Sequence, residues 1–335
     1  MYISKKGVVE TQFNWIFILI IGAVVLILFT GVIVRQKNVS DTSTELNLLE
    51  SLDSIFSGLE TSSGTVSLVA IPNSKIEFGC NAYSVGEVSR QSITSIFAPS
   101  FLEGSDLVAM TLAWKLPYKA ANLVYLANQQ TRYIFVGDSD FAKEIFEMIP
   151  DEIKNDGYTN VDVIQNENDR IVRLIFFDEE PTLPNSLRNV DSITSLRVDG
   201  NEDTGTLQFF ELVDGVLESK GFSNYIKEAG LIGAIFSDEV ENYECSMKNV
   251  FKKLNIVSKV HKERINRVFD YYSNEAAGSS CMLFYEAEIL QISGNLDVLS
   301  SSVFSPEDIP AVINAAAELE NKNFEVGRLS CTTIY

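Results

Sequence analysis

Residues 132–153 read RYIFVGDSDFAKEIFEMIPDEI, and this stretch decides the fold class. It opens with Tyr133, Ile134, Phe135 and Val136, a short run of aromatic and β-branched side chains that reads as a buried strand, Arg132 to Val136. After Gly137, Phe141, Ile145, Met148 and Ile149 recur at helical spacing, and Asp138 or Ser139 stands where a helix cap is needed. A strand that turns tightly into an amphipathic helix is the building unit of a parallel sheet.

Working outward, further strands are expected at Val161 to Ile164, Arg170 to Phe177, Ile193 to Val198 and Thr206 to Val213, with Leu231 to Phe236 (LIGAIF) as a last apolar strand. Tyr118 to Asn128 reads as a helix. A long helical stretch runs from Ser237 towards Tyr272, with further helices through Cys281 to Ile292 and Glu307 to Asn321. On the N-terminal side, VSLVAI, SKIEFGCNAYSV and QSITSIFA are β-like runs separated by Pro72, Gly86 and Pro99, which suit a small sheet or hairpin. The alternation predicts an α/β fold, with α+β as the alternative, and a mixed sheet flanked by helices.

Residues Phe13 to Val34 (FNWIFILIIGAVVLILFTGVIV) contain no charge. As a helix they would rise about 33 Å, close to the hydrocarbon thickness of a bilayer, and Trp15 sits where indoles favour the interface. A single transmembrane helix is therefore expected, with the lipid bilayer as its partner. Lys5 and Lys6 on one side balance Arg35 and Lys37 on the other. The short N-terminal tail, its free amine and the sequon Asn38-Val39-Ser40 favour a cytoplasmic N-terminus, an extracytoplasmic domain and Asn38 as a glycosylation candidate. Beyond the span, Leu46, Leu49, Leu52, Phe56 and Leu59 are spaced as a stalk helix that packs on its own domain. The expected organisation is a tail (1–12), membrane helix (13–34), stalk helix (40–60), small β region (64–110), α/β core (111–236) and helical region (237–335).

The net charge is −20, and with Lys5, Lys6, Arg35, Lys37 and Glu10 set aside, 22 basic and 45 acidic residues remain. Such a surface repels phosphate backbones, which argues against nucleic-acid binding.

Chemistry-bearing motifs are sparse. The lone histidine, His261, lies in the basic stretch KKLNIVSKVHKER beside Lys259 and Lys262 and reads as a solvated helical side chain rather than as a zinc ligand or the base of a Ser-His-Asp triad. Cys80, Cys245, Cys281 and Cys331 show no C-x-x-C spacing, so they are disulfide candidates on an oxidising side of a membrane. Of the three pairings, Cys245–Cys281 with Cys80–Cys331 is the expectation, joining two helices and tying the C-terminus to the small sheet. Asp199, Asn201 and Asp203 place oxygens at alternate positions, a weak calcium pattern that lacks the glycine and glutamate of an EF-hand; a polar hairpin turn is the better reading. Asp138 and Asp140, and Asp178-Glu179-Glu180, are carboxylates at expected strand ends, where open α/β sheets bind ligands. No phosphate loop, nucleophile elbow or Walker sequence is present, and no metal, cofactor or catalytic residue is assigned.

The strings QFNWIFILIIGAVVLILF, LAWKLPYKAANLVYLANQQTRYIFV and LSCTTIY together resemble a group of uncharacterised single-pass membrane proteins of small-genome (DPANN-type) archaea, with Thr332 where that group would carry proline. The resemblance implies an archaeal cell-envelope setting and no activity. More weakly, Lys5-Lys6-Gly7 ahead of the apolar run resembles archaeal type IV pilin-like precursors, which would be processed after Gly7. The expected function is thus a non-enzymatic envelope protein that self-associates or assembles with other envelope proteins. The alternatives are a pilin-like filament subunit and a membrane-tethered, carboxylate-dependent hydrolase or carbohydrate-binding protein.

Overall fold

The computed structural model describes residues 43–275 and 278–335. The span Phe13 to Val34, Gly7 and Asn38 lie outside the described residues. Among the described residues no helix is long and apolar enough to cross a membrane.

Among the described residues, two six-stranded sheets and six helices make up the fold. Helix α1, described over 43–61, leads into the first sheet: β1 (Val66–Gly79), β2 (Ala82–Val85), β3 (Val88–Gln91), β4 (Ile96–Phe97), β5 (Phe101–Lys115) and β6 (Lys119–Ala127). Their order is β3-β2-β1-β5-β6-β4. β1 runs straight through Pro72, with a register shift between Ala70 and Ser74 that absorbs the missing donor. β5 crosses residue 110, so this sheet takes in the start of segment 111–236.

The second sheet contains β7 (Thr131–Val136), β8 (Asn155–Tyr158), β9 (Ile171–Phe177), β10 (Ser192–Gly200), β11 (Thr204–Val213) and β12 (Val216–Ile226), ordered β12-β11-β10-β9-β7-β8. β8, β7, β9 and β10 pair in parallel, while β11 and β12 add an antiparallel edge. The mixed α/β class is as expected. Helix α2 (Asp140–Glu147) follows β7 and is capped by Ser139, whose Oγ accepts from Ala142 N at 3.1 Å.

Helices α3 (Lys227–Phe236), α4 (Val240–Glu275), α5 (Ser280–Ser301) and α6 (Ile309–Arg328) complete the chain. Residues 331–335 then run back along α4. Tyr335 stacks edge-on against Tyr118, Arg264 donates to the Ile334 carbonyl at 2.7 Å, and Asn323 Oδ1 accepts from Ile334 N at 2.7 Å.

Three secondary-structure expectations fail here, and for two of them the burial gives the physical reason. Tyr118 to Asn128 is strand β6, not a helix. Its alanines and leucines favour a helix by propensity, but the strand is buried on both faces. Val124 and Leu126 pack with α1, and Leu123 and Tyr125 with the core that holds α3 and α4, so an unbroken apolar run fits either form. Leu231 to Phe236 is the reverse case, because it belongs to α3 rather than to a strand. Residues Ala229 to Phe236 are all buried, so the helix shows no polar face to betray its period. Gly233 brings α3 against sheet one, since an added Cβ would lie 2.7 Å from Phe97 Cδ1. Val161 to Ile164 is not a strand: Val161–Val163 form a short 3-10 turn.

Of the stalk expected over 40–60, the described part falls in helix α1, which packs on its own domain. Leu48, Leu49, Leu52, Phe56 and Leu59 are buried against β1, β2 and β5 residues, whereas Leu46 is exposed. Both disulfides differ from the expected pairing. Cys80 bonds Cys245, joining the β1–β2 turn to α4, and Cys281 bonds Cys331, joining α5 to the C-terminal segment, with Cα–Cα distances of 5.5 and 5.6 Å. Sequence distance could not choose between pairings. The approach of α4 to the first sheet, where Ser246 Oγ reaches the Ile96 carbonyl at 2.6 Å, does.

Candidate functional site

The carboxyl ends of the parallel strands gather the acidic residues singled out from sequence. Asp138 leaves β7 and Asp178 leaves the neighbouring β9, both exposed. Asp178 holds a left-handed backbone (φ 56°) while its N–H donates to the Val198 carbonyl at 2.9 Å. Asp140 is fully exposed in the first turn of α2 and lies 3.7 Å from Lys143. Glu180 does not face Asp138. It pairs with Arg197, which also holds Asp199 at 3.0 Å.

Asp199, Asn201 and Asp203 lie in the hairpin between β10 and β11, as the turn reading expects. Asn201 Oδ1 accepts from Asp203 N at 2.9 Å and Thr204 N at 3.2 Å, and Asp203 is bound to Lys227. These oxygens are therefore engaged in fixing the turn and in ion pairs.

A different acidic group forms beside this hairpin. Glu144 of α2, Glu202 of the hairpin and Glu228 of α3 bring one carboxylate oxygen each within 4.8 Å of one another. Burial, followed by the charges of Glu144 and Glu202, pushes the Glu228 carboxyl up. Three carboxylates so placed match the oxygen chemistry of a hard divalent cation. Glu144 and Glu202 are exposed. Sequence reading missed this group because its members sit 58 and 26 positions apart on three elements.

A buried polar site lies at the opposite, amino end of the parallel strands. Arg173 of β9 is buried and donates to three carbonyls at the end of α3: Ile235 (3.2 Å), Ala234 (3.0 Å) and Ser237. Burial pushes its guanidinium down to about 10, so it stays charged at neutral pH. Arg173 Nη1 and the Tyr133 hydroxyl have no protein partner. Both residues line a cavity of about 30 Å³ with Thr194, Phe236 and Asp238, room enough for a water molecule. Asp238 in turn accepts from Ser100 N at 2.7 Å and Ser100 Oγ at 2.8 Å, which ties the end of α3 to the first sheet. This site is a structural seam between the two sheets.

His261 is not the solvated side chain expected. Its ring sits 4.3 Å from that of Tyr118 and 6.0 Å from that of Tyr335, and Nδ1 has no hydrogen-bond partner. Burial and then the charge of Arg264 hold its pKa below the ordinary histidine value.

No family model, curated protein or solved structure matches the chain.

Proposed function

We propose that the chain is a single-pass, membrane-anchored protein of a cell envelope, with an extracytoplasmic domain that works by assembly rather than by catalysis. The observation that carries this reading is the use of all four cysteines in two disulfides. Structural disulfides persist on the oxidising side of a membrane and are rare inside cells. The uncharged run Phe13 to Val34 supplies an anchor of bilayer length. The acidic surface keeps a crowded external domain soluble and repels nucleic acid and anionic lipid. The resemblance to single-pass proteins of small-genome archaea agrees with this setting.

Protease shaving of intact cells, with mass spectrometry of non-reduced fragments, tests the reading. Release of the acidic domain with both disulfides intact is the expected result. Complete protection of the domain in intact cells, with free thiols, would overturn it.

A further inference from the structure

We propose that the groove between α4 and the C-terminal segment 331–335 is a binding site for a free, single-chain anionic amphiphile, a molecule with one acid group on an apolar body. The groove has a volume of about 670 Å³, within the roughly 300–1,000 Å³ of small-molecule sites.

One face of α4 makes the floor. Lys259, Glu263, Arg267 and Tyr271 follow one another at a spacing of four, and Val260, Arg264 and Val268 form a second row beside them. Residues four apart stand one above the other on a helix, so the rows run about 18 Å along the axis. Val260 and Tyr271 are more than half exposed, which leaves apolar surface uncovered along this floor. Thr332 makes the facing wall. The protein's own bonds hold that wall in place. Cys331 is bonded to Cys281, Thr332 N donates to the Tyr272 hydroxyl oxygen at 3.1 Å, and the Tyr285 hydroxyl donates to the Thr332 carbonyl.

The positive charge in the groove is what pairing elsewhere leaves over. Residues 248–267 carry seven Lys and Arg residues against one acid, Glu263, in a chain of net charge −20. Lys248, Lys253 and Lys262 are neutralised by Glu244, Glu60 and Asp297, and Lys252 donates to Asn249 Oδ1 at 2.9 Å. The other three, Lys259, Arg264 and Arg267, have no acidic partner among the described residues, and all three line the groove. Glu263 is the only acid that lines it with them. Arg264 spends one N–H on the Ile334 carbonyl at 2.7 Å, which ties its guanidinium to the wall and leaves its other donors open.

Charge and chemistry together select the occupant. Guanidinium groups bind acid oxygens through charge-assisted hydrogen bonds. Val260, Val268 and Tyr271, with the aliphatic stems of the neighbouring bases, give an apolar body its contact surface. An extended peptide would need a row of free backbone donors and acceptors on the wall. There the N–H groups of Thr332, Ile334 and Tyr335 and the carbonyls of Thr332 and Ile334 are already bonded. An anionic bilayer would meet the acid excess of the surrounding surface and be repelled. A single small molecule reaches the three bases without that contact.

The test titrates the full-length protein in phosphatidylcholine nanodiscs with the fluorescent probe anilinonaphthalene sulfonate, an acid group on an aromatic body, with empty nanodiscs as the blank. Saturable binding above the blank is expected. Octanoate should displace the probe at about one-tenth the free concentration that octanol needs, because only octanoate carries the acid group. Arg267→Gln should weaken the probe about tenfold, the share of one charge-assisted hydrogen bond, and leave Tm unchanged. Lys252→Gln, on the same helix outside the groove, should change neither. Absence of saturable binding, binding that survives Arg267→Gln, or equal displacement by octanol and octanoate would each overturn the site. Displacement by phosphatidylglycerol vesicles but not by octanoate would assign the groove to a membrane surface and overturn the free ligand.

Discussion

Arg173, on β9 of the second sheet, donates through Nη2 to the carbonyl of Ala234 near the end of α3, 3.0 Å away. A helix end leaves carbonyls without intrahelical partners, and a buried end cannot turn to water for them. One guanidinium satisfies three of them and places its charge at the negative end of the helix dipole. It thereby fixes α3, the helix buried between the two sheets, to the parallel strands.

Replacing Arg173 by Met keeps volume but leaves those carbonyls unsatisfied. Hydrogen bonds to charged groups contribute about 1.5–3 kcal/mol each, so Arg173→Met should destabilise the fold by about 3–5 kcal/mol. Arg173→Lys should recover less than half, because an ammonium lacks the planar fork. Denaturant unfolding of the three proteins measures both effects, and equal stability for Lys and Arg would refute the geometric argument.

The disulfides close loops of 165 and 50 residues. Constraint of the unfolded chain makes each worth roughly 4–5 kcal/mol in the loop-entropy treatment. Non-reduced peptide mapping should recover Cys80 with Cys245 and Cys281 with Cys331. Cys281→Ser/Cys331→Ser should selectively speed hydrogen exchange at residues 331–335 and the facing part of α4, because that bond anchors the C-terminal segment.

Two glycine substitutions separate close packing from helix propensity. Gly233→Ala pushes a methyl into Phe97 and should cost about 1–3 kcal/mol by overpacking. Gly58→Ala, in α1, meets nothing within 4 Å and should stabilise by about 0.5–1 kcal/mol. Paired thermal melts with opposite signs are the expected outcome.

His261 gives a pH dependence of defined sign. Its pKa in the folded protein lies below the ordinary value of 6.5, so folding favours the neutral ring. Its contribution should be constant above about pH 6.5 and fall away as the pH drops from there through the lowered folded value. His261→Gln should flatten the stability profile in that window. An unchanged profile would show that the ring packed on Tyr118 does not titrate as described.

How far the sequence carried the fold depends on whether an element had one buried face or two. Segment 132–153 was legible because Arg132 to Val136 and the Phe141, Ile145, Met148 stripe show distinct periods on either side of a turn. Helix α4 was legible for the same reason: one side meets the core and the other meets solvent. β6 and α3 were illegible because both are surrounded by protein. When every position is apolar, period 2 and period 3.6 leave the same trace.

For the candidate site, sequence located Asp138, Asp178 and the Asp199-to-Asp203 turn at strand ends. It could not show that Arg197 and Lys227 occupy Glu180, Asp199 and Asp203. It could not assemble Glu144, Glu202 and Glu228 either, because their proximity is created by folding three elements together.

The sequence by itself determined the mixed α/β class, the apolar run of bilayer length, the acidic balance and the supply of four cysteines for disulfides. Those properties follow from composition and local period, which any single chain carries in order. Only the tertiary structure decided which cysteines pair, that α3 is a helix between two sheets, and that Glu144, Glu202 and Glu228 meet beside one hairpin. Each of these depends on the distance between residues far apart in the chain, set by which apolar surfaces are buried together.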